Sequence, residues 1–228
     1  MKRIFISAAL LFASFLAWAG QAQEAPSAGD VLAQLQQGNA RFVSDRLQAK
    51  DFANERLALV KAQHPYAIVL TCADSRVPPE ILFDQSLGKL FVVRVAGNVA
   101  DPVVLGSIEY AAEHLHIHLL LVLGHDSCGA VQAALEGGHA PKNLAALVKA
   151  IVPAAQAAKR QARDEAQTLD AAVRENVRLQ SRNAVADSPL LAELVEKRQL
   201  QVVGAVYHLD SGKVEILADP KQRESDKL

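Results

Sequence analysis

The sequence predicts an α/β fold in which helices flank a mainly parallel central sheet that ends in an antiparallel C-terminal strand pair. Three apolar runs have the length of buried strands; they cover residues 67–71, 90–95 and 117–123. Helical segments separate these runs, and strands that alternate with helices pair in parallel. Six of the seven residues in the third run are aliphatic, as expected for a strand covered on both faces. The last two runs, 201–208 and 213–217, flank Asp210-Ser211-Gly212 and are typical of a hairpin.

The segments between the strands carry signals for the start and end of helices. Asp30 stands just before an apolar periodic segment and is the predicted N-cap of the first helix. Asp101 followed by Pro102 predicts an N-cap and a first helical residue. A long alanine-rich stretch predicts helix with a break or kink near Pro153. The helices predicted from periodicity cover residues 52–63, 128–136 and 144–182.

The N-terminal segment has the pattern of a secretory signal peptide. Lys2 and Arg3 form a basic start, and an uncharged apolar run and small residues typical of a cleavage site follow them. Residues 1–19 are therefore the predicted signal peptide, with cleavage after Ala22 as an alternative. An uncleaved membrane anchor is the other interpretation, but the run is shorter than the roughly 20 residues that a spanning helix needs.

Signal cleavage predicts where the mature chain resides and how it is organised. We expect a periplasmic or secreted protein that has no membrane contact once the signal peptide is removed. Residues 28–218 are predicted to form a single domain, and residues 219–228 are predicted to be a polar tail. The formal net charge of −1 does not indicate nucleic acid as a partner.

Reactive side chains follow two of the predicted strands. Cys72, Asp74 and Arg76 follow the first run, and His125 and Cys128 follow the third. Functional groups at the carboxyl ends of parallel strands gather in one site. Zinc binds thiolates and imidazoles, so Cys72, His125 and Cys128 are candidate ligands. A disulfide is the usual state of two cysteines in an exported protein, but it leaves His125, Asp74 and Arg76 without a role, so zinc is favoured.

These residues resemble a known family. Cys-x-Asp-x-Arg after one strand and His-x-x-Cys-Gly after a later one are similar to the two signatures of the β-class carbonic anhydrases. Ser75, the segment 94–98 and Gly124 fit the same pattern, and the resemblance covers about residues 39–217. The resemblance implies a catalytic dyad and three zinc ligands, which are Asp74 and Arg76, and Cys72, His125 and Cys128.

The resemblance also implies a reaction, a cofactor and an assembly. It implies a lyase that hydrates carbon dioxide reversibly to bicarbonate and a proton, by attack of a zinc-bound hydroxide that Asp74 and Arg76 orient. One Zn²⁺ per chain and a homodimer, or a tetramer, are expected. Gln85 resembles a glutamine that reaches the substrate pocket across the dimer, and Gly129 would offer a backbone N–H to the substrate.

Two other functions stay open at this level. One is a related zinc hydrolase that acts on carbon disulfide or carbonyl sulfide with the same ligands. The other is a periplasmic binding module stapled by a disulfide. The family's bicarbonate-inhibited members have a tryptophan where this chain has Val69, so we expect a structural or interface role for Arg94.

Overall fold

A five-stranded sheet forms the centre of the protein in a computed structural model that describes residues 26–161 and 164–218. The strand order is β2-β1-β3-β4-β5; the first four strands pair in parallel and β5 runs antiparallel to β4. The strands are β1 Ala67–Thr71, β2 Leu90–Arg94, β3 Leu119–His125, β4 Gln201–Tyr207 and β5 Val214–Ile216. This architecture confirms the predicted fold class. The predicted signal peptide and polar tail lie outside the described residues.

Helices cover both faces of this sheet. They are α1 Ala28–Val43, α2 Phe52–Ala58, α3 Pro79–Leu82, α4 Pro102–His114, α5 Gly129–Glu136, α6 Lys142–Lys159, α7 Glu165–Ala186 and α8 Pro189–Glu196, with a 3₁₀ turn at Ala96–Asn98. Within the described ranges, no helix combines the length and the apolar composition needed to cross a membrane.

The two faces of the sheet bury two separate apolar clusters. Ile68 and Leu70 of β1 pack into the cluster that residues from α4 to α8 complete, whereas Ala67 and Val69 face the cluster shared with α1 and α3. Successive side chains of a strand point to opposite faces, so both faces of β1 are apolar. All seven residues of β3 are buried, which explains the nearly continuous aliphatic run in the sequence.

Several predicted helix boundaries are wrong. Ser27, not Asp30, caps α1, because the Ser27 hydroxyl accepts the Asp30 N–H at 3.2 Å. The second helix ends at Ala58 instead of continuing to residue 63. Leu57 and Val60 are largely exposed there, so no buried face stabilises a longer helix.

The predicted break near Pro153 is also wrong. Pro153 lies inside α6 and on its exposed side, while Ile151, Ala154 and Ala155 around it are buried. Packing of this buried face keeps the helix continuous across the proline. The helical stretch is instead divided after Lys159, where α6 ends before α7.

The contact between α1 and α3 requires a glycine. A Cβ added at Gly38 would lie 1.8 Å from the carbonyl oxygen of Phe83, which is far inside the van der Waals distance. Gly106, on the exposed face of α4, has no heavy atom of the described chain within 4 Å of an added Cβ apart from its own helix backbone and chain neighbours.

We therefore expect opposite effects from the same substitution at these two helical positions. Gly38→Ala should destabilise the protein by about 1–3 kcal/mol, because α1 must move away from α3. Gly106→Ala should stabilise it by about 0.5–1 kcal/mol, because alanine loses less backbone entropy than glycine in a helix. Urea unfolding of both variants measures the difference, and equal effects would contradict the close α1–α3 contact.

Candidate active site

The two sequence motifs meet at one edge of the sheet. Cys72 directly follows β1, His125 is the last residue of β3, and Cys128 is the N-cap of α5. Strands β1 and β3 are parallel neighbours, so their carboxyl ends lie side by side. The candidate ligand atoms of the three residues all lie within 4.8 Å of one another, and all three residues are buried.

The distances in this cluster and the state of one nitrogen atom fit a zinc ion. The sulfurs of Cys72 and Cys128 lie 4.0 Å apart, about twice the ~2.05 Å length of a disulfide bond. Tetrahedral zinc with Zn–S bonds of about 2.3 Å separates two sulfurs by about 3.8 Å. His125 Nε2 is buried and has no hydrogen-bond partner among the described residues, as expected for an atom that binds a metal.

The other nitrogen of His125 determines its tautomer. Nδ1 lies 2.8 Å from the carbonyl oxygen of Asp126, which can only accept, so Nδ1 carries the proton. The lone pair is then on Nε2, which lies in the cluster. An Nδ1 hydrogen bond of this kind is the usual way in which a protein orients a metal-binding histidine.

The two thiols share one proton unequally. The pKa of Cys72 is lowered, because the Cys128 thiol donates to its sulfur and because the Gly97 N–H also stabilises the thiolate. The pKa of Cys128 is raised, because this thiol keeps the proton that it donates to Cys72 and because it is buried.

Asp74 and Arg76 form an ion pair beside the cluster. Asp74 Oδ1 accepts the backbone N–H and the Nε–H of Arg76, both at 2.9 Å, and Oδ2 accepts Nη2–H at 2.8 Å. The hydrogen bonds from the Arg76 side chain hold the pKa of Asp74 well below its usual range. Asp74 Oδ2 also lies 3.8 Å from His125 Nε2, so the carboxylate borders the space in which a metal would sit.

Arg94 restrains the loop that carries the first motif. It donates from Nε to the carbonyl oxygen of Cys72 at 3.2 Å and from Nη2 to that of Asp74 at 2.6 Å. The structural role expected for Arg94 agrees with these contacts. One planar guanidinium group therefore holds the carbonyl groups of Cys72 and Asp74 in place.

A charged network restrains the turn after β3. The Asp126 N–H donates to Tyr207 O at 3.1 Å, and His208 lies between the carboxylates of Asp126 and Glu215, 3.1 Å from each. Arg174 donates to both Glu215 oxygens at 2.8 and 2.9 Å and is the main cause that lowers the pKa of Glu215 to about 2. Asp126, whose carbonyl oxygen binds His125 Nδ1, is therefore tied to β4, β5 and α7.

Helix α7 contributes two buried amides that the sequence interpretation did not identify. Asn176 Nδ2 donates to Gly97 O at 2.8 Å, and Gln180 Oε1 accepts the Ala100 N–H at 3.0 Å. Both lie on a buried face of the helix that is otherwise apolar. The sequence did contain a signal for these residues, because the two amides interrupt an otherwise apolar stripe at helical spacing. The stripe comprises Ala172, Val173, Asn176, Val177, Gln180 and Ala184.

The two predicted substrate-binding residues lie in different places. Gly129 is the first residue of α5, exposed and adjacent to Cys128. The Gln85 side chain is buried, accepts the Tyr66 hydroxyl and donates to the Phe83 carbonyl at 2.6 Å. Tyr66 precedes β1 whereas Cys72 follows it, so Gln85 and the cluster are at opposite ends of the same strand. Its predicted substrate contact therefore requires a second copy of the chain.

Comparisons with known proteins agree with this geometry. The sequence model of the carbonic anhydrase family matches residues 67–214. The carbonic anhydrase of Mycolicibacterium smegmatis is 42% identical over 189 residues, which cover 80% of this chain and 89% of that protein. Carbonic anhydrase 2 of Mycobacterium tuberculosis is 41% identical over 184 residues, 78% of this chain and 87% of that protein.

Solved structures show the same fold. The β-carbonic anhydrase of Coccomyxa, solved in complex with acetazolamide, is 30% identical with a TM-score of 0.67, covering 86% of this chain and 98% of that one. A tetrameric β-carbonic anhydrase of Sordaria macrospora has the same TM-score at 21% identity, covering 83% of this chain and 98% of that one, and shows the fold alone. From the family match, the mycobacterial relatives and the buried Cys-His-Cys cluster, we conclude that this chain belongs to the β-class carbonic anhydrases, a family of zinc lyases.

Proposed function

We propose that the protein catalyses the reversible hydration of carbon dioxide to bicarbonate and a proton, with one zinc ion held by Cys72, His125 and Cys128. The observation that carries this proposal is the convergence of three buried donor atoms within 4.8 Å, one of them an imidazole nitrogen with no hydrogen-bond partner among the described residues. When bound, zinc lowers the pKa of a coordinated water and supplies a nucleophile near neutral pH. Two thiolates and a neutral imidazole leave a fourth position open, as catalytic zinc sites require.

Asp74 orients the nucleophile in this proposal. Its Oδ2 atom faces the ligand cluster and accepts one hydrogen bond from Arg76, so a second lone pair is available to accept a hydrogen bond from the attacking oxygen. Arg76 donates to both carboxylate oxygens, which keeps Asp74 ionised and opposes its binding to the metal as a fourth ligand. Asp74 therefore acts as a hydrogen-bond acceptor throughout and remains unprotonated.

The assembly and location are part of the same proposal. An edge strand, β2, leaves one side of the sheet open, and exposed apolar side chains occur on the elements before it, such as Leu57, Val60, Ile81 and Leu87. A homodimer formed at this side would cover these residues and bring Gln85 of one chain to the site of the other. The signal-peptide pattern of residues 1–19 supports export to the periplasm or beyond.

Stopped-flow carbon dioxide hydration, measured against pH with the zinc content of the same sample, tests the proposal. We expect one zinc per chain and rapid hydration of carbon dioxide. Hydrolysis of carbonyl sulfide and carbon disulfide on the same sample tests the related zinc hydrolase, and faster turnover of either would overturn the proposal. A denatured chain with no free thiol and no zinc would instead indicate the disulfide-stapled binding module.

Asp74→Asn separates orientation from metal binding. The amide nitrogen of asparagine cannot accept a hydrogen bond, and neutral asparagine loses its ion pair with Arg76. We expect zinc to be retained and kcat/KM to fall about 10- to 100-fold, the usual effect of removing a group that supports a metal site. Asp51→Asn, at the N-cap of α2 where both residues cap equally well, should leave kcat/KM unchanged. Near-normal turnover of zinc-loaded Asp74→Asn would show that the role assigned to Asp74 is wrong.

Cys128→Ser tests the ligand set. A serine hydroxyl is a much poorer zinc ligand than a thiolate, so we expect zinc content to fall from one per chain to nearly none after dialysis. Metal analysis by mass spectrometry measures this loss, and Ser107→Ala on α4 is the control that should retain zinc. Full zinc occupancy in Cys128→Ser would exclude Cys128 as a ligand.

A further inference from the structure

A chain of buried hydrogen bonds connects α7 to the sulfur of Cys72. Asn176 Nδ2 donates to Gly97 O at 2.8 Å, and the Gly97 N–H donates to Cys72 Sγ at 3.3 Å. Gly97 has a positive φ of 68°, and an added Cβ would lie 2.5 Å from Ile151 Cδ1. The position of this N–H therefore depends on a backbone conformation that α7 contacts directly.

Gln180 holds both the side-chain amide of Asn176 and the far end of the loop of residues 96–100, which contains Gly97. Its Nε2 donates to Asn176 Oδ1 at 3.0 Å and lies 3.3 Å from Ala150 O, while its Oε1 accepts the Ala100 N–H at 3.0 Å. Asn176 and Gln180 are 1% and 0% exposed, so water does not compete for these bonds. Each oxygen and nitrogen of the two side-chain amides has a partner.

This arrangement differs from what packing alone requires. The other residues on the buried face of α7, such as Val173 and Val177, are apolar, and burying an amide without full pairing costs free energy. The side-chain amides of Asn176 and Gln180 bind each other, and they also bind Gly97 and Ala100 in the loop of residues 96–100. Together they hold that loop in a single conformation. The loop residue held at the centre donates to a sulfur of the ligand cluster.

We propose that Asn176 and Gln180 are positioning residues that hold the Gly97 N–H on the Cys72 sulfur and so set the electron donation of this thiolate to zinc. The inference rests on the proposed role of Cys72 as a zinc ligand. A hydrogen bond to a thiolate withdraws charge from the sulfur, which leaves the metal a stronger Lewis acid.

Cobalt substitution gives a readout that a purely structural role would not change. In the Co²⁺-loaded protein, a hydrogen bond to sulfur lowers the energy of the sulfur lone pair and shifts the sulfur-to-cobalt charge-transfer band to shorter wavelength. Asn176→Ala frees Gly97 O and loosens the loop, so we expect this band to move to longer wavelength. We also expect zinc affinity, measured by competition with a chromogenic chelator, to weaken about 10-fold or more.

Two further variants keep the test informative. Gln180→Met preserves length and apolar packing but removes all three Gln180 hydrogen bonds, and it should produce a smaller band shift in the same direction. Leu191→Ala removes a fully buried side chain of α8 and lowers stability, and the Leu191 side chain takes part in none of the hydrogen bonds described above. We expect its cobalt band and zinc affinity to match those of the unmodified protein.

The outcomes separate this inference from the proposed function. An unmodified protein that binds no zinc would overturn the ligand assignment and this inference with it. An unmodified protein that binds zinc, together with Asn176→Ala and Gln180→Met variants whose cobalt bands and zinc affinities equal those of Leu191→Ala, would overturn this inference alone. If Asn176→Ala does not fold, an unshifted cobalt band in Gln180→Met would by itself overturn this inference.

Discussion

The site depends on one constraint, which is that two thiols and an imidazole nitrogen are buried together at the carboxyl edge of β1 and β3. His125 is 0% exposed and its Nε2 has no hydrogen-bond partner in the described part of the chain, a costly arrangement unless a cation fills the cluster. Zinc binding would neutralise the thiolates and satisfy this nitrogen at the same time. The buried parallel strands are therefore needed both to exclude water and to bring residues distant in sequence to one point.

The protein restrains each ligand through its backbone. Arg94 and Gly97 hold Cys72, the Asp126 peptide holds His125, and the start of α5 holds Cys128. Asp74 is held separately, by its ion pair with Arg76, and borders the space in which a metal would sit. Ligands and a carboxylate that are all held in place preserve the geometry in which the reacting oxygen is oriented.

The sequence predicted the site better than it predicted the elements around it. Cys72 and His125 were found because each follows an apolar run, and parallel pairing brings those runs together whatever the helices do. The boundaries of α2 and the break near Pro153 were wrong, because burial and exposure decide how far a helix continues and neither is visible in local sequence. Asn176 was missed for a different reason: its partner Gly97 is 79 residues away, and only the tertiary structure shows that an amide in an alanine-rich helix contacts the loop behind a zinc ligand.

The proposed export places a condition on this cluster. In an oxidising compartment two neighbouring thiols tend to form a disulfide, and the Cys72 sulfur, with its lowered pKa, is the more reactive of the pair. Oxidation would require the sulfurs to approach by about 2 Å from their 4.0 Å separation, and any part of this approach made by Cys72 would strain its hydrogen bond from the Gly97 N–H. In the proposed arrangement, Asn176 and Gln180 hold the loop of residues 96–100 that donates to the Cys72 sulfur. The same restraint opposes the approach of Cys72 to Cys128, so before zinc binds it favours the metal site over the disulfide.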